Sequence, residues 1–328
     1  MRRINKPSIQ FFFLESLIMI IFQLTGGLGN QLFQLAAALF ESKNQKVYFD
    51  KYLGKPRGSI SGKIEIENFN LPNDINILQR PNYSWFFSKV NGYILRKGIH
   101  PRSYEKFSVV SKLVDFIASF LNTIRYRKKL IIQGASNVGY CEFEKSSISA
   151  IRVGYFQSFK WANDEFVKSK LKAMRISNLS SELEEYRNLA ITELPLVVHV
   201  RLGDYKSEDS FGIVAHNYYE VAIDKLWKSG KYKKIWLFSD EPHTAIEFMP
   251  IWSKDFVRIV DEIEGSPSKT LEVMRFGLGY VIANSSFSWW GAFLSYNEDA
   301  EVVAPIPWFS GQNEPQFLIP QNWNRVGR

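Results

Sequence analysis

Four short segments of the chain bring together polar residue types that could bind an anionic ligand rich in hydroxyl groups. They are 26–31 (GGLGNQ), 199–205 (HVRLGDY), 238–241 (FSDE) and 284–292 (NSSFSWWGA). Each segment ends or follows an apolar run typical of a buried β-strand. In open α/β sheets ligands bind beyond the carboxyl ends of the strands, so the four segments together predict one shared site.

The glycine-rich segment 26–31 lies between a predicted strand and a predicted helix. Glycines there let a ligand approach the backbone closely, and the N-terminus of the following helix favours an anion. Leu32 stands where the dinucleotide motif GxGxxG requires glycine or alanine, so that motif is excluded. A tight turn with a purely structural role is the alternative. The candidate ligand-binding residues are Gly27, Gly29, Asn30 and Gln31.

The second segment combines an imidazole, a guanidinium and a carboxylate. On a strand, His199 and Arg201 point to the same face because side chains alternate with a period of two. The fixed fork of N–H donors on Arg201 fits diphosphate oxygens, and His199 could hold a phosphate or hydroxyl beside it. Asp204 could orient Arg201 or act on a second substrate. The alternative is a buried Arg201–Asp204 ion pair without a chemical role.

The third segment offers a carboxylate, Asp240, at the end of a predicted strand. This carboxylate suits a ribose or a base edge, although a helix N-cap formed by Ser239 or Asp240 explains the pattern equally well.

The fourth segment predicts a helix N-terminus that faces the ligand. Ser285 or Ser286 would cap the helix and leave backbone N–H groups for a phosphate. Trp289 and Trp290 are expected to pack in the core rather than to stack on a sugar. The glycosylation sequon that begins at Asn284 is discounted because a strand-to-helix turn should be buried. The candidate ligand-binding residues are Asn284, Ser285, Ser286 and Phe287.

Composition and charge narrow the class of protein. The 328 residues are 45% hydrophobic and 23% charged, as expected for a globular protein of about two domains. The single cysteine excludes a disulfide framework, and the four histidines form no HExxH or HxxxH pair, so no metal site is expected. The net charge of +8 suits a nucleotide, a phospholipid surface or nucleic acid. The sequence has no arginine–aromatic repeat or basic helical stripe, which argues against nucleic acid.

The predicted elements alternate between strand and helix. An apolar stretch at 17–24 is interpreted as a buried strand after a short extension, with a membrane signal or anchor as the alternative. The further strands are predicted at 47–50, 196–200, 235–238, 256–260, 280–283 and, as the last one, 302–305; the helices at 30–42, 111–122, 218–227, 271–276 and 287–296. Such alternation predicts parallel, doubly wound sheets, here in two α/β halves around a cleft. The polar stretch 177–193 marks the expected boundary.

Together with 154–158 (GYFQS), these segments occur in an order that resembles the bacterial α-1,2-fucosyltransferases, glycosyltransferase family 11. The resemblance covers 17 to about 310. It implies a GT-B fold of two Rossmann-like domains facing a cleft: an N-terminal acceptor-side domain at 1–176, with 1–18 as an extension, and a C-terminal donor domain at 177–328. It also implies the activity of a galactoside 2-α-L-fucosyltransferase.

The resemblance further implies the partners and the chemistry. GDP-β-L-fucose would be the donor, the 2-hydroxyl of a terminal galactose in a surface glycan such as O-antigen the acceptor, and the transfer would invert C1 without a metal. The charge then suits an anionic inner membrane carrying a lipid-linked acceptor, so a cytoplasmic protein with peripheral membrane contact is expected. The alternatives are another fucosyl or nucleotide-sugar transferase, or a non-catalytic nucleotide- or glycan-binding protein.

Roles of single residues follow from the matching motif positions. Arg201 matches the family's key arginine, expected on the β-phosphate, and His199 the first motif residue. Asp240 and the turn that contains Ser285 and Ser286 match positions that hold the nucleotide. Leu202 departs from the family, which has a second arginine there; on a strand it would face away from Arg201. Arg201 and the helix N-terminus would stabilise the departing diphosphate, with Asp204 as candidate base.

Overall fold

The computed structural model describes residues 18–50, 64–78, 116, 120, 130–133, 138–143, 149–152, 154–178, 180–206, 211–311 and 313–328. Within these residues the chain forms two parallel β-sheets, each with helices packed against it. The α/β class and the GT-B arrangement of two Rossmann-like sheets are therefore confirmed. The expected extension at 1–18 lies almost entirely outside the described residues.

The first sheet has five strands in the order β3-β2-β1-β5-β4, all parallel. Their bounds are Ile20–Gln23 (β1), Val47–Asp50 (β2), Ile75–Ile77 (β3), Leu130–Gln133 (β4) and Ser149–Arg152 (β5). Helix α1, Leu28–Ser42, connects β1 to β2 and buries its alanine- and leucine-rich face. The strand order reverses between β1 and β5, so the loops after these two strands border one crevice.

The second sheet has six parallel strands in the order β11-β10-β9-β6-β7-β8. Their bounds are Pro195–Val200 (β6), Lys234–Ser239 (β7), Val257–Val260 (β8), Gly279–Val281 (β9), Glu301–Ile306 (β10) and Asn324–Gly327 (β11). Counted within this sheet, the order is that of a Rossmann fold, and its switch point lies between β6 and β9.

Seven further α-helices surround the sheets within the described residues. Their bounds are Phe159–Ala162 (α2), Glu165–Ala173 (α3), Ser181–Glu193 (α4), His216–Trp227 (α5), Pro242–Ala245 (α6), Pro267–Met274 (α7) and Ser286–Phe293 (α8). Residues 181–193 of the polar stretch expected to contain the domain boundary form α4, while the boundary itself stays a prediction. The helix predicted at 111–122 lies outside the described residues except for Phe116 and Phe120, which are helical.

The element boundaries correct two expectations. Strand β6 ends at Val200, so Arg201 lies one residue beyond it rather than on it. The strand at Glu301–Ile306 is not the last, because Asn324–Gly327 adds an edge strand beside it. The sequence of this edge strand, NRVG, is half-buried and lacks the apolar run by which the other strands are recognised.

One hydrophobic core runs through both halves of the chain. The ring of Phe33 on α1 packs against Trp289 and Trp290 on α8, with centroids 4.6 and 4.9 Å apart. Both tryptophans are fully buried, which confirms their predicted core role. A second core lies on the opposite face of the second sheet, where alternate residues of β6 such as Val198 contribute to it. Burial on both faces explains the continuous apolar run of β6.

Candidate active site

The polar residues after β7, β6 and β9 form one row at the edge of the second sheet. Val200 pairs with Ser239, and Val198 pairs with Val281. Continuing these pairings beyond the strands places Arg201 between Asp240 on one side and Asn284 on the other. Since adjacent strands lie about 4.8 Å apart, the row is about 10 Å wide. It lies at the switch point, where α/β sheets bind their ligands.

Arg201 contacts two carboxylates. Its Nε and Nη2 donate to Oδ1 of Asp204 at 3.1 and 2.8 Å, and its Nη1 lies 3.3 Å from Oδ2 of Asp240. Burial of the guanidinium opposes its charge, but Asp240 and Asp204 more than compensate and raise the pKa of Arg201. One third of the side chain remains exposed, so the cation is fixed in place and accessible.

Asp240 is held rigidly inside the site. Its Oδ1 accepts a hydrogen bond from the Leu202 N–H at 3.0 Å, while its Oδ2 faces Arg201. A Cβ at position 203 would come within 2.3 Å of Oδ2, so the carboxylate requires Gly203 beneath it. The N-cap of the following helix, α6, is Glu241, so the alternative that Ser239 or Asp240 caps this helix is wrong. A contact of Asp240 with ribose or base stays a prediction.

Asp204 differs from Asp240 in its exposure. Its side chain is 62% exposed, against 22% for Asp240. The Arg201–Asp204 ion pair of the alternative therefore forms, but it is not buried, because the Asp204 carboxylate lies at the surface of the site. Lys206 follows in the same short turn and pairs with Glu241 at 2.6 Å.

His199 lies below this row and is only 4% exposed. Burial, and to a lesser degree the charge of Arg201, lowers its pKa to about 3, so the imidazole is neutral at physiological pH. Its ring centroid lies 5.9 Å from that of Phe287, and its Nδ1 has no hydrogen-bond partner among the described residues. Leu202 is buried with Val198 in the second core, as expected for a residue that faces away from Arg201.

The turn after β9 begins helix α8 and is fixed by its own side chains. Ser285 caps the helix, since its Oγ accepts the N–H of Phe287 at 3.3 Å. Asn284 donates through Nδ2 to the carbonyl of Phe211 at 2.9 Å, and its Oδ1 is buried without a partner among the described residues. Asn284 is 2% exposed, so it is no surface sequon. Ser286 is the first residue of α8, and its backbone meets α1.

Two residues that the sequence analysis did not select, Tyr205 and Arg328, brace this turn. Tyr205 donates its hydroxyl to the Asn284 carbonyl at 3.2 Å, and its ring stacks on Phe211 at 5.1 Å. Arg328 donates to the carbonyls of Phe211 and Ile213 at 2.9 and 3.1 Å. Tyr205 could have been selected as the aromatic end of its segment. Arg328 carries no local signal, because its partners lie 115 and 117 residues away.

The glycine segment brings the first half of the chain to the same place. A Cβ at Gly29 would lie 2.5 Å from the Ser286 carbonyl carbon and 2.6 Å from the Phe287 nitrogen. The N-termini of α1 and α8 therefore meet in backbone contact, which only glycine at position 29 permits. Gly27, the N-cap of α1, has extended backbone and open space around its Cβ position. Neither packing nor backbone conformation requires glycine at position 27.

The two amides of this segment have different surroundings. Gln31 is buried, donates to the Gly26 carbonyl at 3.0 Å and accepts the Ile66 N–H at 3.2 Å, so its amide holds the fold. Asn30 is half-buried and accepts a hydrogen bond from Gln157 at 2.8 Å. Asn30 thus joins the first turn of α1 to the loop after β5 at the switch point of the first sheet.

The arrangement can bind an anion at the junction of the two sheets. Each helix N-terminus carries about half a positive charge, and those of α1 and α8 meet. Arg201 adds a guanidinium in the same row. Within the described residues no group of three or more His, Cys, Asp or Glu side chains is placed to hold a metal ion. Nor is any helix in this part of the chain both long and apolar enough to span a bilayer.

The chain is similar to known proteins in sequence, to a solved structure and to the sequence profile of a family. It is 26% identical over 321 residues to an alpha-1,2-colitosyltransferase of Escherichia coli, covering 94% of this chain and 98% of that protein. It is 27% identical over 324 residues to the O-antigen biosynthesis glycosyltransferase WbnK of Escherichia coli, covering 90% of this chain and 97% of WbnK. The chain is also similar to the crystal structure of NodZ alpha-1,6-fucosyltransferase co-crystallized with GDP, with a TM-score of 0.47 and 15% sequence identity. This match covers 85% of this chain and 92% of the NodZ chain. Residues 142–326 match the sequence profile of Glycosyl transferase family 11. The chain therefore belongs to glycosyl transferase family 11.

Proposed function

We propose that the protein transfers L-fucose from GDP-β-L-fucose to the 2-hydroxyl of a terminal galactose and forms an α-1,2 linkage. The observation that carries this proposal is the meeting of two helix N-termini beside Arg201, at the switch point of the second sheet. Such a place suits a diphosphate, because backbone N–H groups and a guanidinium both favour its negative charge. The donor would lie mainly on the half at 177–328 and the acceptor against the half at 1–176.

The proposed transfer reaction develops negative charge on the leaving diphosphate. The acceptor oxygen attacks C1 of fucose from the face opposite GDP, the bond from C1 to the β-phosphate oxygen breaks, and GDP leaves with the electron pair. Negative charge grows on the diphosphate as this bond breaks. Arg201 and the N–H groups at the start of α8 would stabilise that charge, so no metal is required. Inversion at C1 follows from attack on the opposite face.

A second donor is favoured by one relative. An alpha-1,2-colitosyltransferase shares 26% of its residues with this chain over nearly its full length. Colitose is fucose without the 3-hydroxyl, so the two donors offer the same nucleotide and diphosphate and differ in one hydrogen-bonding group. We therefore take a GDP-linked 6-deoxyhexose as the donor class and GDP-fucose as its first member.

The acceptor and location are proposed from the relatives and the charge. The relative named an O-antigen biosynthesis glycosyltransferase favours a surface glycan as acceptor. The net charge of +8 favours contact with the anionic cytoplasmic face of the membrane, where a lipid-linked acceptor would be presented. A nucleic-acid partner is not proposed.

The test is a transfer assay with GDP-fucose and GDP-colitose against a panel of β-galactosides, with and without EDTA. We expect a fucosylated product at the galactose 2-hydroxyl, unaffected by EDTA, and at least a hundredfold loss in Arg201→Ala. Arg258→Ala is the matched control, because Arg258 also forms a forked pair with a carboxylate, that of Glu193, but on β8 away from the site. Transfer from GDP-colitose alone would correct the donor. A folded protein that binds GDP-fucose but never turns it over would favour a non-catalytic binding protein.

A further inference from the structure

The fork of Arg201 that would bind a diphosphate is already occupied. A guanidinium offers five N–H donors, and two of its edges match two oxygens of an oxyanion: the one formed by Nε and Nη2, and the one formed by Nη1 and Nη2, whose Nη1 faces Asp240. Both Nε and Nη2 donate to a single oxygen, Oδ1 of Asp204. A diphosphate can reach the Nε–Nη2 edge only if Asp204 leaves it.

The two carboxylates on Arg201 are not equivalent. Asp240 is 22% exposed and is fixed by the Leu202 N–H and by close packing under Gly203. Asp204 is 62% exposed and three residues along the chain from Arg201. An exposed ion pair contributes little to stability, whereas hydrogen bonds from a guanidinium to phosphate are among the strong ones. A ligand can therefore displace Asp204 readily, while Asp240 keeps Arg201 in place.

The charges of the side chains around Arg201 also favour displacement of Asp204 by a diphosphate. Within the described residues, Arg201 and Lys206 lie in or beside the row with the carboxylates of Asp204, Asp240 and Glu241, and Arg328 braces the turn next to it. As long as Asp204 stays on the guanidinium, its negative charge repels an incoming diphosphate. Movement of Asp204 away from Arg201 removes one negative charge from the position where the phosphate binds.

We propose that the donor diphosphate replaces Asp204 on the Nε–Nη2 edge of Arg201, and that the displaced carboxylate then serves as the base for the acceptor hydroxyl. This inference rests on the proposed function. The acceptor hydroxyl gives its proton to Asp204 as its oxygen bonds to C1, and GDP leaves with the electron pair of the broken C1–O bond. Asp204 then returns the proton to water and rebinds Arg201 once GDP has left. Because the base is released only by the donor, the donor binds before the acceptor.

The sign of a change in GDP affinity tests this exchange. Asp204→Asn and Asp204→Ala remove the competing charge, so we expect both to bind GDP about threefold to tenfold more tightly than the unmodified protein. Arg201→Ala should bind GDP at least tenfold more weakly. Asp224→Asn is the control for net charge, since Asp224 contacts Trp252 on the outer side of α5; its GDP affinity should stay within twofold. Calorimetric titration with GDP measures all four variants.

Kinetics supply the second readout. Loss of a general base lowers kcat by about a hundredfold or more. Asp204→Asn should therefore bind GDP more tightly and also show a kcat lowered by about that factor. Weaker GDP binding in both Asp204 variants would show that Asp204 only holds Arg201, and a kcat within threefold of normal would exclude it as the base; either result overturns the exchange. If instead the unmodified protein binds neither GDP nor GDP-fucose, the proposed function fails and the exchange fails with it.

Discussion

At the scale of single residues, the site combines one accessible cation with a neutral, buried imidazole. Two carboxylates favour the charge of Arg201 and raise its pKa, while burial keeps His199 uncharged. The two side chains come from positions 199 and 201 and differ because β6 ends between them. Arg201 thus reaches the surface of the site, and His199 stays under it.

His199 predicts how stability depends on pH. Its pKa is about 3 in the folded chain because of burial and then Arg201, whereas an unfolded histidine has a pKa of about 6.5. Between these values the unfolded state binds a proton that the folded state does not. The free energy of unfolding therefore falls as pH falls below about 6.5, by up to about 1.4 kcal/mol per pH unit.

Urea denaturation at pH 7.0 and pH 5.0 measures this effect. We expect the unmodified protein to lose about 2 kcal/mol more than His199→Gln over that interval. Equal losses in both proteins would mean that His199 is charged in the folded state or that its surroundings admit water.

At the scale of the elements, the contact between α1 and α8 forms the floor of the site. Gly29 allows the helix N-termini to touch, and Gly27 leaves the first turn of α1 open. Gly27 at the N-cap and Gly29 in the first turn of α1 provide a matched pair of substitutions, since only Gly29 is required by packing.

We expect Gly29→Ala to destabilise the protein by about 1–3 kcal/mol, because its Cβ would overlap the backbone of Ser286 and Phe287. It should also weaken GDP binding, since the two helix N-termini must separate. Gly27→Ala should leave the urea midpoint unchanged, because no described atom lies within 4 Å of its Cβ position. Equal destabilisation by both substitutions would contradict the close approach at position 29.

At the scale of the whole molecule, the two halves share one core and several polar contacts. Phe33 on α1 packs on the tryptophans of α8. Arg275, at the end of α7, donates to the carbonyls of Met174 and Lys172 at 3.0 and 3.2 Å. Buried contacts of this kind couple the stabilities of the two halves.

Thermal unfolding is therefore expected to occur in one calorimetric transition, with van't Hoff and calorimetric enthalpies equal. Phe33→Ala should lower the free energy of unfolding by about 3–5 kcal/mol and keep a single transition, since the lost contacts belong to both halves. Two separate transitions in the unmodified protein would show that the halves unfold independently.

Much of the element pattern was predictable because it is encoded locally. Apolar runs followed by polar turns identified five of the six strands of the second sheet, and β1 and β2 of the first. The edge strand Asn324–Gly327 was missed because its residues form no apolar run. The helix cap at Ser285 and the buried pair Trp289 and Trp290 were correctly predicted for the same reason. The family resemblance stated from the motifs is confirmed by the family match over 142–326.

By itself, the sequence determined the class of fold, the order of the motifs and the family, since periodicity and motif spacing are properties of short segments. The tertiary structure decided which side chains meet. Asp240 contacts Arg201, Tyr205 supports Asn284, and Arg328 braces the loop at Phe211, across separations of 39, 79 and 117 residues. Such contacts depend on strand order, register and crossovers, which no local stretch of residues specifies.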